Sequence, residues 1–349
     1  MIQKLIERYK RLRTTKYLSQ SYQYSYAFVG MGQHALTNLY PVLHYLAVPL
    51  KYICVTSERK ALLIERKFPQ VTATTSLDTI LNDDEVKGVF VSASPTAHFS
   101  IASQILKSGK SLFIEKPPCQ TLDELDTLID LQRLHYSPVA MVGLQKRYAP
   151  AVQILKKHLR KEHLINYDYH YLTGAYPEGN ALLDLFIHPL DLVIYLFGRP
   201  EILACQQVAN ESYVLMLRHP HIVGTLELST TYAWTTAEES LKVCTSNGIY
   251  RLSQMDELTY EPIPSSFLGI PIEKLRPCHK TIEYLYARNS FIPTLPNNPI
   301  YSQGYFYEIQ TFISSVERSN TCVLSDISTL RPTYEIITRS PLYKVLKGL

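Results

Sequence analysis

The spacing of apolar positions changes character three times along the chain. Ile2, Leu5, Ile6, Tyr9 and Leu12 recur at helical intervals with Lys4, Arg8, Lys10 and Arg11 between them, which predicts an amphipathic basic helix. Such a helix suits an acidic membrane surface, but the expectation adopted is that it packs on its own domain or on a second subunit. From Ser25 onward, short apolar runs alternate with helical stretches. SYAFVG, LKYICV, GVFVSAS, SLFIEK and VAMVGL read as strands, with HALTNLYPVLHYLA, SERKALLIERKF, FSIASQILKSG and TLDELDTLIDLQRLHY as helices between them. That alternation predicts an α/β domain built on a doubly wound parallel sheet over residues 25–145.

Beyond Leu144 the period shifts. A helix, APAVQILKKHL, precedes the alternating strand LINYDYHYLTGAY, and the apolar helix ALLDLFIHPLDLVIYLFG is closed by Gly198 and Pro200. ILACQQVA, SYVLMLR, IVGTLELSTTYAW, SLKVCTS and IYRLS then follow as short strands, predicting a mostly antiparallel sheet. FIPTLPNNPIYS reads as a loop or extended crossing, and YFYEIQTFISSVER as a late helix. The expected organisation is a helical extension over 1–24, the parallel-sheet domain over 25–145 and an α+β domain over 146–349, with the last helices allowed to pack back on the first domain.

Composition adds bounds to this picture. At roughly 150 residues per domain, 349 residues make two domains and therefore a cleft. The net charge of +4, with 19% charged residues, is too mild for a nucleic-acid footprint. No run approaches the roughly 18 consecutive apolar residues of a membrane span, and the basic start of the chain lacks the apolar core of a secretory signal. Cys54, Cys119, Cys205, Cys244, Cys278 and Cys322 form no closely spaced pair and read as buried free thiols of a reducing cytoplasm.

Candidate chemistry falls at element ends. VGMGQHA sets Gly30 and Gly32 at the end of a strand with Ala35 where a helix opens. In that setting the first glycine permits a tight turn, the second lets a pyrophosphate approach the backbone, and the small third residue allows close packing. An ordinary strand-to-helix turn is the plain alternative. The acid that would hold an NAD ribose is missing after the second strand, where Thr56, Ser57 and Arg59 suit a 2′-phosphate and lean the cofactor toward NADP over NAD. Ser57 equally suits a helix N-cap. Lys116 ends an apolar strand before Pro117 and Pro118, at the edge where open α/β sheets bind ligands. Asp184 and His188, four apart on an apolar helix, are expected to share a face, with Asp191 three further on. His188 is either a core histidine or the group that exchanges a proton with a substrate hydroxyl. No zinc-type spacing joins these residues, so no metal is expected.

Together these motifs resemble the Gfo/Idh/MocA oxidoreductases. The similarity runs from about Tyr26 to Arg339 and rests on the glycine turn with Tyr40-Pro41, SASPTAHFSIA, GKSLFIEKP, TLDELDTLID with VAMVGLQKRYAPAV, the DLFIHPLDL helix and YEIQTFISSV. It implies a Rossmann domain plus an α+β domain, and an NAD(P)-dependent dehydrogenase or reductase acting on a CH–OH group of a sugar, cyclitol or related hydroxy or keto compound. The implied catalytic residues are Lys116, His188 and Asp184. The implied cofactor set is Gly30, Met31, Gly32, Gln33, His34, Thr56, Ser57, Arg59, Ser94, Pro95, His98, Glu115 and Lys116, with Lys146, Arg147, Asp184 and His188 toward the substrate. The resemblance also implies a cis Lys116–Pro117 bond and a homodimer or homotetramer. Phe186 departs from the family pattern, being expected to narrow the cleft or turn outward, and so does the displaced proline of ASPTAH. A catalytically silent cofactor-binding regulator or partner-binding protein is the competing reading, and a reductase of a linear tetrapyrrole, imine or diol is a third. Tyr167, Tyr169, Tyr171 and Tyr176 suit sugar or aromatic stacking, or plain sheet packing.

Overall fold

In the computed structural model, residues 2–19, 21–136, 138–176, 179–264, 266–275, 280–320 and 323–339 are described. Strands β1 (Ser25–Val29), β2 (Leu50–Cys54), β3 (Thr72–Thr74), β4 (Val86–Val91), β5 (Ser111–Glu115) and β6 (Ala140–Gly143) form one sheet in the order β3-β2-β1-β4-β5-β6. Every pairing is parallel. Strand order reverses between β1 and β4, so the connections leave on opposite faces and a crevice opens at the carboxyl ends. β3, only three residues long and threonine-rich, carries too little apolar pattern to stand out in the sequence.

Both faces of this sheet are buried, as parallel sheets require. Along β1 the side chains divide by parity: Ala27 and Val29 face one core, and Tyr26 and Phe28 face the other. The second core is closed by the late helix Tyr305–Glu317, whose Phe312 ring lies 4.9 Å from Phe90 and 5.8 Å from Phe113. Truncating such a buried phenylalanine to alanine costs about 3–5 kcal/mol. On the other face, helix Leu122–Leu134 starts at a capping box in which Thr121 Oγ1 accepts from the Glu124 amide and Glu124 accepts from the Thr121 amide, both at 3.2 Å. Helix Arg331–Arg339 returns to this side, and Tyr334 donates to the Cys119 carbonyl at 2.7 Å.

The second sheet contains β7 (Leu164–Gly174), β8 (Glu201–Ala209), β9 (Ser212–His219), β10 (Ile222–Tyr232), β11 (Glu238–Thr245), β12 (Gly248–Ser253) and β13 (Glu257–Pro262). After a small pair, β14 (Ser266–Phe267) and β15 (Ile270–Pro271), strand β16 (Glu283–Ala287) completes it in the order β16-β13-β12-β11-β7-β10-β9-β8. Only β7 and β10 run parallel. One face packs on helix Ile187–Phe197, where Tyr167 stacks on Phe197 at 4.7 Å. The other is open, with Val214, Met216 and Val223 exposed.

Some expectations change. The N-terminal helix forms over Ile2–Leu18, but Ile2, Leu5, Ile6 and Tyr9 are exposed, so these four do not pack on their own domain. The Pro-rich stretch folds into short helical turns, Leu295–Asn297 and Pro299–Ser302, the second capped by Asn298. Cys54 and Cys119 are buried free thiols, whereas Cys205 and Cys244 are half-buried, because they lie on sheet strands with one open face; Cys278 and Cys322 lie outside the described residues. Among the described residues no helix is long and apolar enough to cross a membrane.

Candidate active site

A cavity of about 480 Å³ lies at the carboxyl edge of the parallel sheet, with residues of the second sheet opposite. His34, just after the glycine turn, and Ser92, against which Gly30 packs, both line it. Gly30 has φ +87° and a side chain there would meet the Ser92 carbonyl oxygen at 2.3 Å, so only glycine lets β1 and β4 end this close. A Cβ on Gly32 would meet nothing within 4 Å, which leaves that backbone uncovered ahead of the helical turn formed by Gln33 and His34. Uncovered amides at a helix start make a cradle for an anionic pyrophosphate. The residues present therefore fit a dinucleotide. Ala35 is buried, as the close packing of helix on strand demands. Thr56, Ser57 and Arg59 are exposed beyond the cavity; Ser57 Oγ accepts from the Lys60 amide, and Glu58 is tied to Thr75 Oγ1 at 2.8 Å.

Around the first wall, Ser94 and Pro95 open helix Pro95–Lys107 at the surface. His98, one turn on, is buried between the Pro117 carbonyl at 2.7 Å and the Ala93 carbonyl at 3.1 Å, so it fastens the β4 and β5 loops together. The Lys116–Pro117 bond is cis. Glu115 lies 3.3 Å from His34 Nε2, and His34 Nδ1 meets Asn38 Nδ2 at 3.0 Å. Gly143 makes room for Glu115, since a Cβ there would stand 2.9 Å from its carboxylate.

Lys116 points across the cavity and donates to the Asp184 carbonyl. Burial drives its ammonium below the usual lysine range. His188 faces it from helix Ile187–Phe197 and lines the same cavity. Burial, reinforced by the charges of Lys116 and Lys146, holds its imidazole well below the ordinary histidine value. A protonated His188 here would be both desolvated and repelled, so the ring is neutral at physiological pH.

The Asp184 carboxylate, expected on the His188 face, has its hydrogen bond within its own turn. Leu182–Phe186 is a π-helical turn that runs directly into the helix carrying His188. The Asp184 carboxylate accepts from the Asn180 amide at 2.9 Å. Phe186 neither narrows the cleft nor turns outward; it is wholly buried, edge-on to Tyr171 and Tyr213.

Lys146 and Arg147 part company. Lys146 lines the cavity, paired with Glu239 and lying 4.5 Å from the centre of the Tyr171 ring. Arg147, expected beside it toward the substrate, is committed to the interior. Its Nε bonds Asp191 Oδ2 at 2.8 Å and Nη2 bonds Oδ1 at 2.5 Å, while Nη1 bonds Thr329 at 2.8 Å. With Nη1 also donating to the Leu324 carbonyl at 2.5 Å, four of the five guanidinium donors are engaged and the side chain is buried away from the cavity. Of the tyrosines, Tyr171 lines the cavity, Tyr167 and Tyr169 are buried, and Tyr176 packs against the core.

Glu239, Gln303 and Tyr305 also line the cavity without having been signalled by any motif, as does Gln145, which sits in VAMVGLQKRYAPAV but was given no site role. One clue exists for Glu239: it shares strand parity with the inward-facing Leu241 and Val243, an odd register for a charge.

Comparisons with known proteins place this geometry in context. A family model described as an oxidoreductase family with an NAD-binding Rossmann fold matches residues 24–158. YceM of Salmonella typhimurium, named as an oxidoreductase, is 26% identical over 191 residues, 51% of this chain and 62% of its own length. The chain spans about half the length of the curated relatives it matches. A dehydrogenase from Chromobacterium violaceum superimposes with a TM-score of 0.77 at 20% identity, over 94% of this chain and 97% of that one. A levoglucosan dehydrogenase in complex with NADH and levoglucosan does so with a TM-score of 0.71 at 16% identity, over 89% and 94%. At these identities the structural likeness establishes the fold.

Proposed function

Starting from an N-terminal domain that belongs to the Gfo/Idh/MocA oxidoreductase family, we propose that the chain is an NAD(P)-dependent oxidoreductase acting on a CH–OH group of a sugar, cyclitol or related hydroxy or keto compound. The carrying observation is that Lys116, from the end of β5, and His188, from the second domain, line one cavity beside the glycine turn. A bound nicotinamide dinucleotide supplies a ring that exchanges hydride with the substrate carbon. The protein's own groups manage the substrate oxygen. His188, held neutral, takes the hydroxyl proton in oxidation, and Lys116 stabilises the negative charge that develops on that oxygen. Asp184 belongs to the same proposal as a positioning residue: its carbonyl holds the Lys116 ammonium, and its carboxylate fixes the turn at Asn180.

Gly30, Met31, Gly32, Gln33 and His34 would hold the pyrophosphate end, with Ser94, Pro95, His98 and Glu115 toward the nicotinamide. The exposed Thr56, Ser57 and Arg59, in place of an acid, support NADP over NAD. The bound levoglucosan of the structural neighbour supports a sugar-like substrate. The exposed Val214, Met216 and Val223 on the open sheet face support a homodimer or homotetramer.

Calorimetric titration with NADPH and NADH, followed by a turnover screen of sugars and cyclitols, tests the proposal. Binding of NADPH tighter than NADH and turnover of a polyol are expected. An NADH preference overturns the phosphate assignment alone. Binding without turnover across the panel favours the silent regulator, and binding of neither cofactor overturns the function.

A further inference from the structure

A polar cluster on the second-domain wall has no part in the proton and hydride chemistry above. Glu239 Oε1 accepts both from the Lys146 ammonium and from the Tyr169 hydroxyl, the latter at 2.6 Å. Tyr169 is wholly buried, so it holds the carboxylate from behind, while Lys146 and Glu239 keep only 8% and 12% of their side chains exposed, toward the cavity they share with His188. Both internal bonds fall on one carboxylate oxygen. An ammonium has three donors and a carboxylate about four acceptor sites, so donors of Lys146 and the Oε2 atom of Glu239 remain adjacent and available to a ligand.

We propose that Lys146 and Glu239 form a diol-reading subsite, in which one substrate hydroxyl donates to Glu239 Oε2 and its neighbour accepts from Lys146, and that the Glu239 charge excludes substrates bearing a carboxylate or phosphate at that position. This deepens the proposed function, on which it rests, by restricting the substrate to a neutral vicinal diol. The exclusion follows from charge balance in a desolvated site. The Lys146 cation is already neutralised by Glu239, so an incoming anion meets an unbalanced carboxylate, and like charges at close quarters cost several kcal/mol. Burial weakens the Lys146 ammonium and Glu239 opposes that effect, so without the Glu239 charge a bound anion is what restores the ammonium form.

Acetate is the probe, titrated by calorimetry at saturating NADPH into the wild type, Glu239→Gln, Lys146→Met and the double variant. Glu239→Gln is expected to bind acetate at least about tenfold more tightly than the wild type, and the gain should vanish in the double variant. Equal affinity in the wild type and Glu239→Gln overturns the inference, as does a gain that survives Lys146→Met. Should Glu239→Gln fail to fold, the wild type decides: acetate binding that Lys146→Met abolishes overturns the proposal, and acetate binding unaffected by Lys146→Met or absent supports it. The titration needs no turnover, so failure to find an oxidised polyol sinks the functional reading alone. For a sugar that is oxidised, Glu239→Gln should raise kcat/KM for its uronate relative to the parent by about tenfold or more.

Discussion

On the wall supplied by the parallel sheet, each functional group sits where a strand ends: Gly30 after β1, Ser92 after β4, Glu115 and Lys116 at β5. On the facing wall the groups arrive from distant segments, with Tyr169 on β7, Glu239 on β11 and His188 on the intervening helix. The first wall is fixed by short-range geometry, because a parallel strand must release its chain at the crevice. The second depends on register: β11 pairs antiparallel with β7 so that Glu239 lies opposite Tyr171 and Leu241 opposite Tyr169. A slip of one residue would turn Glu239 out of the cavity. One wall can thus be identified from motifs, whereas the other exists only once the sheet has formed.

The largest effect is expected where the walls are joined. Arg147 follows β6 and Asp191 lies on the helix that carries His188, and their buried pair fastens that helix to the segment leaving the first sheet. Asp191→Ala should lower stability by about 3–5 kcal/mol, the usual penalty for leaving one buried charge unpaired, measured from denaturant midpoints. A loss under about 1 kcal/mol would mean that the walls are held independently.

Next come the two groups proposed to react, one from each wall. Lys116→Ala and His188→Ala should each lower turnover about a hundredfold or more, and His188→Ala should leave cofactor affinity nearly unchanged. Near-normal turnover in either would make that wall structural. The pH profile separates the two further. Because the His188 value is depressed, its base form persists below the ordinary histidine range of about 6.5, and oxidation should lose rate only well on the acid side of it. An acid limb centred near 6.5 would contradict the buried, doubly repelled environment.

The smallest effect concerns a group behind the first wall. Glu308 is wholly buried, neither carboxyl oxygen has a well-formed hydrogen bond among the described residues, and burial with the nearby Glu115 charge raises it well above the usual carboxylate range. The folded state keeps that proton while the unfolded chain releases it above about 4.5, so the group contributes full stability at acid pH and loses it as pH rises. Glu308→Gln should therefore add more stability at pH 8 than at pH 5, by an amount on the order of 1–3 kcal/mol, read from denaturant midpoints at the two pH values. A larger gain at the acid pH would reverse the assignment.

Legibility in the sequence followed the range of the interaction. The glycine turn and Lys116 at a strand end are written in a few adjacent residues, and the structure contains both of them. The bond from the Asn180 amide to Asp184 went unread because a π turn is not encoded in a four-residue spacing, and Glu239 went unread because its strand has no motif apart from one inward-facing charge. The short β3 and the polar β13 were missed for want of apolar alternation.

The sequence by itself determined the alternating domain, the place of its crevice and the cation at the edge, since backbone geometry and local hydrophobic period suffice for these. Tertiary structure alone decided that Lys146 turns into the cavity while its neighbour Arg147 is locked to Asp191, and that Glu239 meets Tyr169. Those outcomes depend on which buried partner each charge finds, and a charge taken out of water goes where its hydrogen bonds can be completed.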